Sequence, residues 1–111
     1  MKLLISVQQP DIDSPVNERF GRTGWFVHVD TETGNWQAVE NPGWNNRGGA
    51  GVSAAQFAAD QNAEAVVSGE FGPNAAAALQ SAGIKMLRFP SAGLTGNEVV
   101  QLYRQGRLVE K

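Results

Sequence analysis

Glu64-Ala65-Val66-Val67-Ser68-Gly69-Glu70-Phe71-Gly72-Pro73-Asn74-Ala75-Ala76-Ala77-Ala78-Leu79-Gln80-Ser81-Ala82-Gly83-Ile84-Lys85-Met86-Leu87-Arg88 carries two short apolar segments joined by an alanine-rich one. Residues 64–68 read as a strand, bounded by Gly69. Pro73 suits the first position of a helix, where the donor that proline lacks would go unused, and Gly83 stops the helix before residues 84–88 return to a strand. Strand, helix and strand in this order form a βαβ unit, so the two strands run parallel and the class is α/β. In open sheets of this kind ligands gather at the carboxyl ends of parallel strands. The turn Gly69-Glu70-Phe71-Gly72 and the helix start behind it therefore stand where a ligand would sit.

The remaining elements extend this unit. Residues 3–7 are apolar apart from Ser6 and fit a central strand buried on both faces. Pro10 ends it, and the Asp, Ser, Asn and Pro content of residues 11–17 makes a loop. Trp25–Asp30 alternates Phe26, His28 and Asp30 against Trp25, Val27 and Val29; after a turn, Trp36–Glu40 returns antiparallel as an edge strand. A helix over residues 50–62 gathers Val52, Ala54, Ala55, Ala58 and Ala59 on one side. The last helix opens on the capping box Thr95-Gly96-Asn97-Glu98 and ends at Gly106.

With 111 residues and 41% hydrophobic content, the chain is expected to form one domain spanning residues 1–111. A net charge of −2 argues against a nucleic-acid partner held by counterion release, so any anion must be attracted locally. The absence of cysteine excludes a disulfide framework, a thiolate metal site and a thiol nucleophile. The apolar start is too short for a signal segment or a membrane span, and the expectation is a cytoplasmic protein with no membrane partner.

Chemistry concentrates in the loops. Arg19 and Arg22 flank Phe20-Gly21 at the mouth of the second strand. Arginine is always ionised and presents a planar fork of donors, so the pair suits an anion with several acceptor atoms. The plainer reading pairs Arg19 with Glu18 or Asp13 and lays Arg22 along the surface. Residues 48–51, Gly-Gly-Ala-Gly, precede a helix and form a candidate anion cradle, because glycines leave the first-turn amides and the positive dipole end uncovered. This is neither a P-loop nor a dinucleotide fingerprint. Trp44 either folds back as a lid or stays exposed to meet a ligand. His28, the one imidazole, reads as a packed strand residue, not a metal ligand.

Taken in order, Val16-Asn17-Glu18-Arg19-Phe20-Gly21-Arg22, Glu40-Asn41-Pro42, Gly48-Gly49-Ala50-Gly51, Gly72-Pro73-Asn74-Ala75 and Ala82-Gly83-Ile84 resemble the dinitrogenase iron–molybdenum cofactor biosynthesis family, with its NifX-, NafY- and NifB C-terminal-type domains. The resemblance spans essentially the whole chain. It implies a ribonuclease H-like α/β fold, a mixed sheet of about five strands with helices packed on it. It also implies nitrogen-fixation service: transient binding, carriage or insertion of the iron–molybdenum cofactor, its precursor or another metal–sulfide cluster, with cluster-assembly or acceptor proteins as partners. In nitrogenase-serving members the position before Phe-Gly is often His, whereas this chain has Arg19. A guanidinium is not an ordinary metal ligand, so a cluster here would be held as an anion by Arg19, Arg22, Arg47 and backbone amides.

The implied pocket comprises Arg19, Phe20, Gly21, Arg22, Asn41, Gly48, Gly49, Gly51, Gly72 and Asn74, with no catalytic residue and no protein ligand to metal. This describes a non-enzymatic carrier, as a monomer or weak dimer. Two other classes stand beside it. The same cradles suit a phosphate or carboxylate in a small-molecule or regulatory module. A metal-dependent nuclease would need Asp11, Asp13 and Glu70 to converge on Mg²⁺, although Asp11 and Asp13 sit in a Pro-flanked loop.

Overall fold

A computed structural model describes residues 1–45 and 48–110. Along the chain it forms β1 (Lys2–Val7), β2 (Trp25–Asp30), β3 (Trp36–Glu40), α1 (Ala50–Asp60), β4 (Ala65–Ser68), α2 (Pro73–Ser81), β5 (Lys85–Arg88), α3 (Gly96–Arg104) and β6 (Val109–Glu110). The strands make one mixed sheet in the order β3-β2-β1-β4-β5-β6. β1, β4 and β5 are parallel, while β2, β3 and β6 each run antiparallel to the neighbour they join. The βαβ unit, the hairpin and the mid-sheet place of β1 follow the sequence pattern. β6 adds a strand beyond the expected five, and its two residues are too few to show an alternation.

Strand alternation sorts the core into two layers. Leu4, Phe26, Val66 and Met86 point to the face that α1 and α2 cover with Ala54, Ala58 and Leu79. Leu3, Ile5, Val27 and Val67 point to the other, against Val99 and Val100 of α3. The small residues of α1 let it lie close on the sheet. Val52 departs from the expected apolar face: it sits in the first turn, 45% exposed, at the edge of a cavity. Phe57 supplies the aromatic contact instead, stacked on Phe26 with ring centroids 6.1 Å apart. α1 stops at Asp60 because the chain soon turns through Asn62, whose φ of 59° is left-handed. α3 has the expected capping box: Thr95 Oγ1 accepts from the Glu98 amide at 3.1 Å and Glu98 Oε1 from the Thr95 amide at 2.9 Å.

Candidate functional site

β1 and β4 lie side by side, yet the connections leaving their carboxyl ends turn opposite ways, one toward β2 and one into α2. That divergence opens a crevice, the usual ligand position in sheets of this type. The loop bearing Arg19 and Arg22 crosses it, held from below by buried hydroxyls. Ser6 Oγ donates to the Asn17 carbonyl at 2.6 Å and lies 2.9 Å from Ser68 Oγ, which reaches the Glu18 carbonyl at 3.3 Å. Thr23 Oγ1 donates to the Val7 carbonyl at 2.8 Å, and the Glu70 amide donates to the Glu18 carbonyl at 2.7 Å. Phe20 anchors the loop in the core, its ring 5.6 Å from that of Phe26 and 5.3 Å from that of Phe71. With Phe20 buried, Arg19 and Arg22 stay at the surface on either side.

The loop then meets two helix starts. A Cβ on Gly21 would fall 2.8 Å from the Cα and N of Gly51, and one on Gly51 would fall 2.9 Å from the Ala75 Cβ. Loop, α1 and α2 are thus stacked at a separation only glycine permits. Around this stack runs a cavity of about 320 Å³, walled by residues 19–22, 49–52, 70 and 72–75. Both helices begin there without a side-chain cap, at Gly49 and at Gly72, and neither has an acidic residue in its first turn. Their leading amides lack intrahelical acceptors, and their positive dipole ends add to the potential of the two arginines. Among the described residues the remaining charge in the wall is Glu70, whose Oε1 is 4.0 Å from Arg19 Nε; both side chains are more than 70% exposed, at 72% for Arg19 and 73% for Glu70. A pair so exposed stabilises the fold little. Arg22 Nη1 donates to the Trp44 carbonyl at 3.4 Å.

Of the residues expected in the pocket, Arg19, Phe20, Gly21, Arg22, Gly49, Gly51, Gly72 and Asn74 line this cavity, whereas Asn41 and Gly48 do not. Asn41 is fully buried, and its Nδ2 donates to the carbonyls of Thr23 at 2.8 Å and Gly21 at 3.3 Å, so it braces the arginine loop from behind. Trp44 is 47% exposed and outside the cavity wall. Arg47 lies outside the described residues. Asp11 and Asp13 do not join Glu70 in the cavity wall; Asp11 Oδ1 accepts from the Asp13 amide within their own turn. His28 is also elsewhere, in mid-β2, where burial and the positive charge of Lys2 lower its pKa against the opposing pull of the Gln61 backbone and Asp30. Ser6 and Ser68 were not among the expected residues; the one signal for Ser6 was a hydroxyl inside an apolar strand.

Guanidinium forks and amide donors suit the outer atoms of an anion. Among the described residues no group of three or more His, Cys, Asp or Glu is placed to hold a metal ion. Residues 1–106 match the family model described as dinitrogenase iron-molybdenum cofactor. The chain belongs to this family. Membership connects it with iron–molybdenum cofactor biosynthesis and nitrogen fixation. The orange protein of Desulfovibrio gigas, solved in its apo form, is 35% identical, with a TM-score of 0.94 over 99% of this chain and 92% of that one. A Thermotoga protein assigned to NifB and to the DUF35 family is 33% identical, with a TM-score of 0.84 over 98% and 91%. An uncharacterised protein of Methanocaldococcus jannaschii is 25% identical over 95% of this chain and 90% of its own. Among the described residues no helix is long and apolar enough to cross a membrane.

Proposed function

We propose that this chain is a cytoplasmic, non-enzymatic carrier that binds an anionic metal–sulfur cluster transiently and passes it between cluster-assembly and acceptor proteins. The observation that carries the reading is the meeting of Arg19, Arg22 and two uncapped helix starts on one cavity of about 320 Å³. That volume is at the small end of ligand sites. Arg19 and Arg22 hold the outer sulfides or oxygens by charge, and the amides of the first turns of α1 and α2 orient them. Gly49 and Gly72 leave the helix starts open, Gly21 and Gly51 let the loop and helices stack closely, Phe20 anchors the loop, and Asn74 contributes from the first turn of α2. A grip made of hydrogen bonds, with no bond from protein to metal, suits a cargo that must be released.

The test is an anaerobic titration with tetrathiomolybdate and with an iron–sulfide cluster, read by visible absorption and by metal analysis after desalting. Retained metal is expected, and the Arg19→Ala, Arg22→Ala double variant should lose it while keeping its far-ultraviolet circular dichroism. Equal retention by the double variant rules this pocket out. Because the described cavity wall has no His or Cys and Glu70 as its one carboxylate, a second reading takes the same cradle as a phosphate- or carboxylate-binding module. Thermal stabilisation by phosphate esters, with no metal retained, would favour it.

A further inference from the structure

A cavity built to attract anions has a carboxylate in its wall. Among the described residues Glu70 is the one acidic residue lining it, and it faces Arg19 across 4.0 Å. The pairing is imposed by the backbone: Arg19 and Glu70 form a parallel β-bridge, the Glu70 amide donates to the Glu18 carbonyl, and the Phe20 amide donates to the Glu70 carbonyl. These contacts use main-chain atoms, so any residue but proline could make them at this position. The carboxylate itself is 73% exposed, and a pair this open contributes little to stability. Its side chain therefore has no structural task that explains its place.

We infer that Glu70 determines specificity by setting the charge of the anion the cavity accepts. The inference rests on the carrier reading above. An anion bound to Arg19 must accept from the same guanidinium that Glu70 faces, and so it sits within a few ångströms of a fixed negative charge. The repulsion grows with each charge on the ligand, whereas hydrogen bonds from the amides depend on the shape of the anion more than on its charge. Glu70 thus offsets part of the preference that Arg19 and Arg22 give a highly charged anion over a less charged one of the same shape. The same repulsion favours release, since a displaced carboxylate can swing back to Arg19 as the cargo leaves.

The test compares wild type with Glu70→Gln on three tetrahedral thioanions of similar size: tetrathiorhenate, tetrathiomolybdate and tetrathiovanadate, which carry one, two and three negative charges. In low salt, a charge about 5 Å away across water changes affinity by roughly 4-fold per unit of ligand charge. Glu70→Gln should therefore tighten binding by ~4-, ~16- and ~64-fold along the series, and added salt should compress the differences. Glu110→Gln, which removes the same charge from the exposed β6, should leave all three affinities unchanged. A change equal for all three anions, or weaker binding because Glu70 was holding Arg19 in place, overturns the inference and leaves the cavity's role as an anion site intact. If neither protein binds any of the three, the carrier reading fails and this inference fails with it.

Discussion

Arg19 and Arg22 owe their positions to the two residues between them. Phe20 is drawn into the core against Phe26 and Phe71, and Gly21 lies flat on Gly51, so the flanking guanidinium groups are left at the rim. In Gly21→Ala the new methyl would stand 2.8 Å from backbone atoms of Gly51, a clash that no side-chain rotation relieves. The loop must lift from α1 at a cost of about 1–3 kcal/mol. The denaturant midpoint should drop and thiomolybdate retention should fall with it, although both arginines remain; an unchanged midpoint would show slack in the stack. The arginines and glycines of the cavity were legible because they are contiguous in short motifs. The supports were not, because their roles are spatial: Ser6 and Ser68 meet across 62 residues of sequence. Asn41 belonged to the expected pocket on family resemblance, yet its amide is used up on the carbonyls of Gly21 and Thr23.

At the scale of the element, the three helices differ at their first turns. α3 is closed by Thr95 and Glu98, whereas α1 and α2 start on glycine and keep their amides available. Thr95→Ala should lower stability by about 1 kcal/mol and leave thiomolybdate retention as it was, because this cap is not part of the cavity wall. Gly72→Asp tests the opposite case. Gly72 has φ −65° and ψ 161°, in the range of a capping residue, and a Cβ there would meet nothing within 4 Å. Aspartate would cap α2 and raise stability by about a few tenths of a kcal/mol. It should cut anion affinity by about tenfold or more, since its carboxylate occupies the amides and repels the ligand. Equal or tighter binding by that variant would mean that the α2 amides do not touch the anion. Pro73, Gly83 and the apolar runs of β1, β4 and β5 announced their elements because each signal is local. Val52 showed the limit of a helical wheel: it has the right periodicity for the core but sits in the first turn of α1, exposed at the edge of the cavity.

Across the whole molecule, the candidate cavity and His28 lie apart. His28 is held in β2 between Leu4 of β1 and Gln37 of β3, and its Nε2 is shielded from solvent without a hydrogen-bond partner. Burial lowers its pKa from 6.5, Lys2 lowers it further, and the Gln61 backbone and Asp30 oppose the shift only in part. Between the unfolded value of 6.5 and the lower folded value, the unfolded chain binds a proton that the folded chain does not. Stability is therefore full above that unfolded value, declines as pH falls from it toward the folded pKa, and then levels off. Asp30, half-buried and lowered from 3.8 mainly by its hydrogen bond from the Glu32 backbone, acts only in a more acid window. Denaturant midpoints measured from pH 7.5 to pH 5 should fall for the wild type and stay nearly flat for His28→Gln. Over the same range thiomolybdate retention should not follow the decline while the protein stays folded, because Arg19 and Arg22 remain ionised and His28 is not part of the cavity wall. A binding curve that tracked the stability curve and flattened in His28→Gln would instead couple the sheet to the site.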